Sequence, residues 1–163
     1  MPNTQRHIEI NIGTQTLLLK AGDEVEREYS VSTAGNGAGE KQDSYCTPRG
    51  KHIIAEKIGA GCEENTVFVG RRASGDIYRS EMAGQFPERD WILTRILWLS
   101  GQEPGVNQGG DVDTYNRYIY IHGAPDETAM GVPGSIGCIR MRNRDVMELF
   151  ELVDTETAVL IKE

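Results

Sequence analysis

Long apolar runs are missing from this 163-residue sequence. No stretch approaches the roughly 18 apolar residues that a membrane-spanning helix needs, so no membrane span is predicted. The first residues lead through His7 directly into an alternating pattern, without a basic segment followed by an apolar one. No signal peptide is therefore predicted. We expect a cytoplasmic protein, and the alternative is a periplasmic protein that has been trimmed of its signal peptide.

Clusters of lysine and arginine are also missing. The sequence has 17 of these residues against 25 Asp and Glu, which gives a formal net charge of −8. Nucleic acids and anionic membranes are bound through grouped positive side chains, so neither class of partner is predicted. The acidic balance is instead typical of a soluble globular domain.

Cysteine is scarce, with Cys46, Cys62 and Cys138 as the three residues of this type. An odd number this small does not indicate a disulfide framework, although a Cys46–Cys62 bridge stays open. Free thiols at these two positions are the favoured interpretation, and they indicate a reducing compartment. A zinc site built from Cys46, His52 and Cys62 does not match the usual ligand spacing. We therefore predict no metal and no cofactor.

The length of the chain suits a single domain covering residues 1–163, with a core that needs no disulfide or metal. Short segments with alternating or β-branched apolar residues predict strands. They lie at 7–12, 16–20, 28–33, 51–58, 66–69, 91–99, 118–121 and 157–161. Segment 91–99 also fits a helix by its pattern, but its Ile, Thr and Trp content favours a strand.

One helix is predicted near the C-terminal end, with Asn143 as its N-cap. Apolar residues then follow at the spacing of one helical face, at Val146, Leu149, Phe150 and Val153. Glycine and proline punctuate residues 35–50, where no periodicity survives, so this segment is predicted to be a long loop. Loops of this length are often functional, and we predict that it gates the site. The predicted fold is mainly β with one late helix.

Two residues in the C-terminal half are candidates for catalytic chemistry. His122 ends a predicted strand, and Cys138 lies shortly before the predicted helix. A thiolate attacks carbonyl carbons well, and a histidine within hydrogen-bond reach can serve as its base. Gly123 can orient the imidazole through its carbonyl, and the amides of Gly137 and Cys138 can face a developing oxyanion. Taken alone, a buried structural cysteine is the more common interpretation.

The motifs around these residues resemble those of the L,D-transpeptidase catalytic domain family of the YkuD type. His122-Gly123 and Ser135-x-Gly137-Cys138-x-Arg140, joined by a short loop, are similar to the family's histidine and Ser/Thr-x-Gly-Cys signature. Thr47-Pro48-x-Gly50 resembles its Thr-Pro-x-Gly segment. The resemblance implies a YkuD-type β-sandwich of mixed sheets with one helix following the active-site cysteine. It also implies that Cys138 is the nucleophile, His122 the base and Gly123 the residue that orients the base.

The resemblance further implies which residues contact the substrate. Arg140 lies where the family often places a residue near substrate carboxylates, and a planar guanidinium suits that task. Substrate contacts are also predicted for Ser135, Ile136, Gly137 and Tyr120. Two positions depart from the family pattern. Ile136 stands where many members have a second histidine, and Ala124 stands where a threonine often follows His-Gly.

By this resemblance, the substrate is a peptidoglycan tetrapeptide stem, cleaved between meso-diaminopimelate and D-Ala through an acyl-enzyme on Cys138. Because no export signal is visible, we expect an L,D-carboxypeptidase that acts on cytoplasmic muropeptides in cell-wall recycling. One alternative is a periplasmic L,D-transpeptidase that forms 3→3 peptidoglycan cross-links. An alternative of another class is an inactive domain that binds stem peptides. Carbapenem β-lactams are expected to acylate the same thiol.

Overall fold

The computed structural model describes residues 5–163, and within them it contains ten β-strands and two α-helices. In chain order these are β1 (Arg6–Asn11), β2 (Thr16–Ala21), β3 (Glu24–Ser32), β4 (Gly50–Ile58), β5 (Thr66–Val69), β6 (Arg72–Ile77), α1 (Ser80–Gln85), β7 (Ile92–Gly101), β8 (Tyr120–Gly123), β9 (Ile139–Met141), α2 (Asn143–Leu152) and β10 (Ala158–Lys162). The mainly β fold expected from the sequence is confirmed.

Eight of the strands close into a barrel. Their order is β4-β10-β1-β2-β3-β9-β8-β7, and β7 pairs back with β4. The neighbours are antiparallel except for β1 with β10 and β8 with β9, which run parallel. The β5–β6 hairpin extends the sheet beside β7 without entering the closed ring. The expected sandwich of mixed sheets is confirmed, and the pairing of β4 with β7 joins its sheets into one continuous mixed sheet.

The core explains why the sequence alternates where it does. Ile8 and Ile10 of β1 and Leu17 and Leu19 of β2 are fully buried, while the residues between them are half-buried. The same core cluster receives the apolar face of α2, which confirms the predicted helical face. Strand β7 lacks alternation because both of its faces are covered. Leu97 and Leu99 pack in one core cluster, and Ile96 and Trp98 pack in another.

Three elements were not predicted. Strand β6 is exposed at all six positions, so its sequence shows no alternation. Strand β9 has three residues, and the short helix α1 buries none of its own. The exposed elements lack the periodic apolar signal on which sequence prediction depends, and β9 is too short to show one.

Several predicted boundaries are wrong. Strand β3 begins at Glu24, four residues before its predicted start at residue 28. Helix α2 begins at Asn143 itself, and the N-cap position is Arg142. The Asn143 side chain is buried and bonds to other elements instead of capping the helix. The strand predicted from Tyr118 starts two residues later, because Tyr118 adopts a φ of 58° and belongs to the preceding turn.

The predicted long loop is present between β3 and β4, where residues 33–49 form no regular helix or strand. Cys46, Cys62 and Cys138 are free thiols, so the bridge between Cys46 and Cys62 does not form. Within residues 5–163, no helix is long and apolar enough to cross a membrane.

Candidate active site

Parallel pairing of β8 with β9 brings the two candidate catalytic residues together. His122 pairs with Arg140 and Ile121 pairs with Ile139, so Cys138 lies immediately before β9, beside Tyr120. Alternate residues of a strand point to the same face of the sheet. Cys138 and His122 are therefore diagonal neighbours on one face, an arrangement in which side chains can reach each other.

The Cys138 thiol is a nearly buried group, with 8% of the residue exposed. The Tyr120 N–H donates to Cys138 Sγ at 3.3 Å, and the thiol donates to the Tyr118 carbonyl oxygen at 3.4 Å. Burial raises the pKa of this thiol to about 12, and the Tyr120 hydrogen bond and the charges of Arg140 and Arg117 oppose that rise only in part. Cys138 therefore rests as a neutral thiol at physiological pH.

His122 is completely buried on the same face. Its Nδ1 lies 2.6 Å from the Gly123 carbonyl oxygen. Because a carbonyl oxygen can only accept, Nδ1 carries the proton and Nε2 presents a lone pair. Within residues 5–163, His122 Nε2 has no hydrogen-bond partner, and no hydrogen bond joins it to Cys138 in this resting arrangement. The free nitrogen is thus available to take a proton.

Burial is also the main cause that lowers the pKa of His122 below its ordinary value of 6.5. The Arg140 charge adds to this effect, while Asp90 and the Gly123 carbonyl work against it. A lowered imidazole pKa keeps His122 neutral near pH 7. The site therefore holds a neutral acid beside a neutral base, not a preformed thiolate–imidazolium pair.

Gly123 has no room for a side chain. A Cβ built at this position would lie 2.3 Å from Asn143 Oδ1 and 2.6 Å from the Leu93 carbonyl oxygen. The Asn143 amide is itself fixed, because it accepts from Thr94 Oγ1 at 2.6 Å and donates to Asn65 Oδ1 at 2.9 Å. The carbonyl that orients His122 is thus held by close packing of β7, β8 and the first residue of α2.

The segment 135–138, here called the cysteine loop, is braced by its own hydrogen bonds. Ser135 Oγ donates to the Cys138 carbonyl at 2.6 Å and accepts from the Gly137 N–H at 3.2 Å. Thr47 Oγ1 donates to the Gly137 carbonyl at 2.9 Å. Gly137 has a φ of 136°, a conformation that favours glycine. The Thr-Pro-x-Gly segment thus supports the cysteine loop, a role that the sequence alone did not indicate.

Arg117 ties the long loop 33–49 to the site. Its guanidinium donates to the carbonyl oxygens of Gly39, Glu40 and Cys46 and to Ser44 Oγ, at 2.8–3.4 Å. The prediction that this loop gates the site stays a prediction, and these hydrogen bonds fasten the loop to Arg117.

A cleft of about 420 Å³ leads to Cys138. Its walls combine aromatic and apolar side chains with two arginines and two aspartates. They include Tyr118, Tyr120, Ile136, Arg71, Arg117, Asp43 and Asp90. Such a mainly apolar cleft with a few charged groups is typical of small-ligand sites.

Comparison with known proteins shows which sequence family the chain belongs to. The model of the YkuD L,D-transpeptidase catalytic domain matches residues 5–161. The chain belongs to this family. The structure of L,D-transpeptidase 3 from Mycobacterium tuberculosis in complex with a faropenem-derived adduct has the same fold, with a TM-score of 0.58 and 17% identity. That match covers 97% of this chain and 60% of the other.

Two bacterial relatives carry the name L,D-transpeptidase. YqjB of Bacillus subtilis (strain 168) is 26% identical over 155 residues, which cover 95% of this chain and 70% of that protein. YkuD of Bacillus licheniformis is 40% identical over 60 residues, which cover 34% of this chain and 36% of that protein. This L,D-transpeptidase-family domain thus spans only part of the length of its relatives.

The predicted substrate contacts of this L,D-transpeptidase-family site fall into two groups. Tyr120 and Ile136 line the cleft with Cys138. Ser135 and Gly137 belong to the cysteine loop but do not line the cleft, and Arg140 does not line it either. The Arg140 guanidinium is instead paired with Asp90 at 3.2 Å. Asp90 and Arg71, which sequence reasoning missed, come from segments far from the motifs and have no local sequence signal.

Among residues 5–163, no group of three or more metal-ligating side chains is assembled.

Proposed function

We propose that this domain is a cysteine acyl-transfer enzyme that cleaves peptidoglycan tetrapeptide stems between meso-diaminopimelate and D-Ala. The observation that carries this proposal is the free, buried Nε2 of His122 on the same face as the Cys138 thiol. Membership of the L,D-transpeptidase family supports the choice of substrate. Cys138 is the proposed nucleophile, His122 the proposed base and Gly123 its orienting residue.

The proposed reaction begins with a proton transfer that accompanies attack. As Cys138 Sγ bonds to the diaminopimelate carbonyl carbon, the thiol proton passes to His122 Nε2. The same proton then moves to the nitrogen of the departing D-Ala, which leaves a thioester on Cys138. In the second half, His122 takes a proton from the incoming nucleophile and returns it to the cysteine sulfur.

A backbone amide would stabilise the oxyanion that forms during attack. The Gly137 N–H already donates to Ser135 Oγ within the cysteine loop. We therefore assign the main contact to the Cys138 N–H, which lies next to the reacting sulfur. A donor of this kind typically contributes about 10²–10³ in rate.

Water is the proposed nucleophile for the second half-reaction, which makes the domain an L,D-carboxypeptidase acting on cytoplasmic muropeptides. The free thiols of Cys46 and Cys62 support a reducing compartment. An L,D-transpeptidase that forms 3→3 cross-links is the second candidate, favoured by the names of the Bacillus relatives. Cell fractionation with an antibody to the natural protein tests the location, and recovery from the periplasm alone would contradict a cytoplasmic enzyme.

β-Lactams are the proposed covalent inhibitors. Related L,D-transpeptidases have been solved with imipenem and with a faropenem-derived adduct. In this domain, we expect the carbapenem ring to acylate Cys138 Sγ. Rapid labelling of Cys138 would also exclude the inactive, stem-binding alternative.

Mass spectrometry of products separates the two candidate reactions. The purified domain is incubated with a disaccharide tetrapeptide, and the expected products are free D-Ala and the disaccharide tripeptide. A product that consists only of cross-linked dimers would replace the carboxypeptidase assignment with transpeptidation. An unchanged substrate would contradict the proposed function.

The pH dependence of kcat/KM tests the neutral thiol–imidazole pair. Because the pKa of His122 is lowered, we expect activity to fall on the acid side with a midpoint below 6.5, where the imidazole becomes protonated. Because burial raises the pKa of Cys138 to about 12, activity should persist to about pH 10. The measurement is the initial rate of D-Ala release at low substrate concentration. A maximum near neutrality followed by a fall before about pH 9 would indicate a preformed ion pair instead.

A further inference from the structure

Arg71 is a cleft arginine whose guanidinium pairs with no carboxylate in the part of the chain that the structure describes. It lines the cleft together with Cys138 and is half-buried. Within residues 5–163, none of the salt bridges includes Arg71. A guanidinium binds carboxylates through two parallel N–H groups. An unpaired guanidinium in a substrate cleft is therefore suited to an anionic group of the substrate.

The backbone presents Arg71 at a tight turn. Gly70 and Arg71 form the two-residue connection of the β5–β6 hairpin, with φ values of 56° and 65°. Turns of this type favour Gly, Asn or Asp at both positions. A large side chain at positive φ is strained, and such strain is often retained where the side chain has a function.

An aromatic platform holds the guanidinium in place. Its central carbon lies 5.0 Å from the ring centroid of Trp98 and 5.0 Å from that of Tyr118. One N–H group donates to Tyr120 Oη at 3.4 Å. Trp98 is itself fixed by a parallel stack on Tyr115, with 4.1 Å between the ring centroids. The arginine is thus positioned before any ligand arrives, which reduces the entropy lost on binding.

The other arginines near the site are already engaged. Arg140 is paired with Asp90, and Arg117 donates its N–H groups to the long loop. Arg71 differs from both because, among the residues that the structure describes, its polar partner is the neutral hydroxyl of Tyr120. Arg71 can therefore bind a substrate carboxylate without breaking an ion pair or a contact to the long loop.

We propose that Arg71 binds a carboxylate of the stem peptide and so places the scissile carbonyl at Cys138. This inference rests on the proposed function and assigns the anionic contact to Arg71, where the sequence had indicated Arg140. Tyr120 connects the two positions, since its N–H bonds to Cys138 Sγ and its hydroxyl bonds to Arg71. The stem carries carboxylates on the terminal D-Ala, on diaminopimelate and on D-Glu, and the test distinguishes them.

The test compares a free tetrapeptide stem with three analogues, each amidated at one of these carboxylates. Release of the C-terminal residue, as acid or amide, is followed by mass spectrometry for the wild type and Arg71→Gln. In the wild type, amidation at the bound carboxylate is expected to lower kcat/KM about 10- to 100-fold. In Arg71→Gln the free stem should be cleaved about as slowly as that analogue. The preference for the free stem over the amidated analogue should therefore disappear in this variant.

Three controls make the result specific to Arg71. Arg72→Gln removes the same charge from the next residue, which is exposed and does not line the cleft, and should keep the preference. Arg71→Lys retains the positive charge but lacks the planar guanidinium, so this variant should keep part of the preference for the free stem. Alkylation of Cys138 by neutral iodoacetamide should proceed equally in the wild type and Arg71→Gln, which shows an intact site.

Each outcome has a defined meaning. If Arg71→Gln slows all four stems by the same factor, or slows none, Arg71 does not bind a carboxylate, while the proposed function stands. If the wild type releases no C-terminal residue from any stem, the proposed function fails and the inference for Arg71 fails with it.

Discussion

Cys138→Ala is expected to abolish the release of D-Ala from tetrapeptide stems and the covalent labelling of the protein by imipenem. The reason is that alanine cannot form the thioester on which both reactions depend. The loss in kcat should reach at least about 10³-fold, limited by the detection of residual activity. Steady-state assays of D-Ala and intact-protein mass spectrometry measure the two effects.

Cys62→Ala is the matched control, because Cys62 is also a free thiol but does not line the cleft. It should retain both activities. His122→Asn removes the basic nitrogen but keeps a hydrogen-bond donor, since an Asn amide can still donate to the Gly123 carbonyl. We expect a loss of about 10²–10⁴ in kcat. Full activity in Cys138→Ala, or an equal loss in Cys62→Ala, would contradict the assignment of the nucleophile.

Gly123→Ala is expected to damage both stability and activity. The added methyl group would lie 2.3 Å from Asn143 Oδ1, 2.6 Å from the Leu93 carbonyl oxygen and 3.1 Å from Thr94 Cβ. The Leu93 carbonyl belongs to the backbone and Asn143 Oδ1 is held by the hydrogen bond from Thr94 Oγ1, so β7 and β8 must shift apart. We expect the free energy of unfolding to fall by about 1–3 kcal/mol, as in other overpacked cores. The displaced Gly123 carbonyl would also misorient His122 and lower kcat.

Gly134→Ala provides the comparison for this substitution. Its Cβ would lie 3.5 Å from Ser32 Oγ and 3.6 Å from an Arg140 guanidinium nitrogen, which are ordinary contacts. The free energy of unfolding, measured with denaturant, should therefore change by no more than about 0.5 kcal/mol, and kcat should be retained. If the two glycine variants have the same unfolding free energy and the same kcat, close packing at Gly123 does not position the base.

The predictable part of the fold is the part in which burial leaves a periodic pattern. Ile8 and Ile10 alternate with half-buried residues because β1 has one face in the core, and Val146, Leu149 and Phe150 repeat because α2 does. The other elements are set by tertiary pairing. Strand β9 exists because Ile139–Met141 pair with β3 and β8, which are distant in sequence. Strand β6 depends on its pairing with β5 and carries no buried residue.

The candidate site also has a part that the sequence predicted and a part that it could not predict. The motifs around His122 and Cys138 indicated the two residues and the orienting carbonyl of Gly123, which the geometry brings together. Their neutral resting state could not be predicted, because it results from burial and from the Tyr118 carbonyl that accepts the thiol hydrogen. The partner of Arg140 and the position of Arg71 could not be predicted either. Both depend on how separate loops and hairpins pack around the cleft.

Closure of the barrel has a consequence for the synthesis of the protein. Strand β10 inserts between β1 and β4, so the ring is completed by a segment that the ribosome makes after both of its neighbours. Pairings of such large sequence separation form slowly, because the entropy of closing long loops is lost before contacts compensate for it. A nascent chain that lacks β10 leaves the edges of β1 and β4 open to pairing with other chains. We therefore expect the barrel around the thiol site to close only after β10 has paired with β1 and β4.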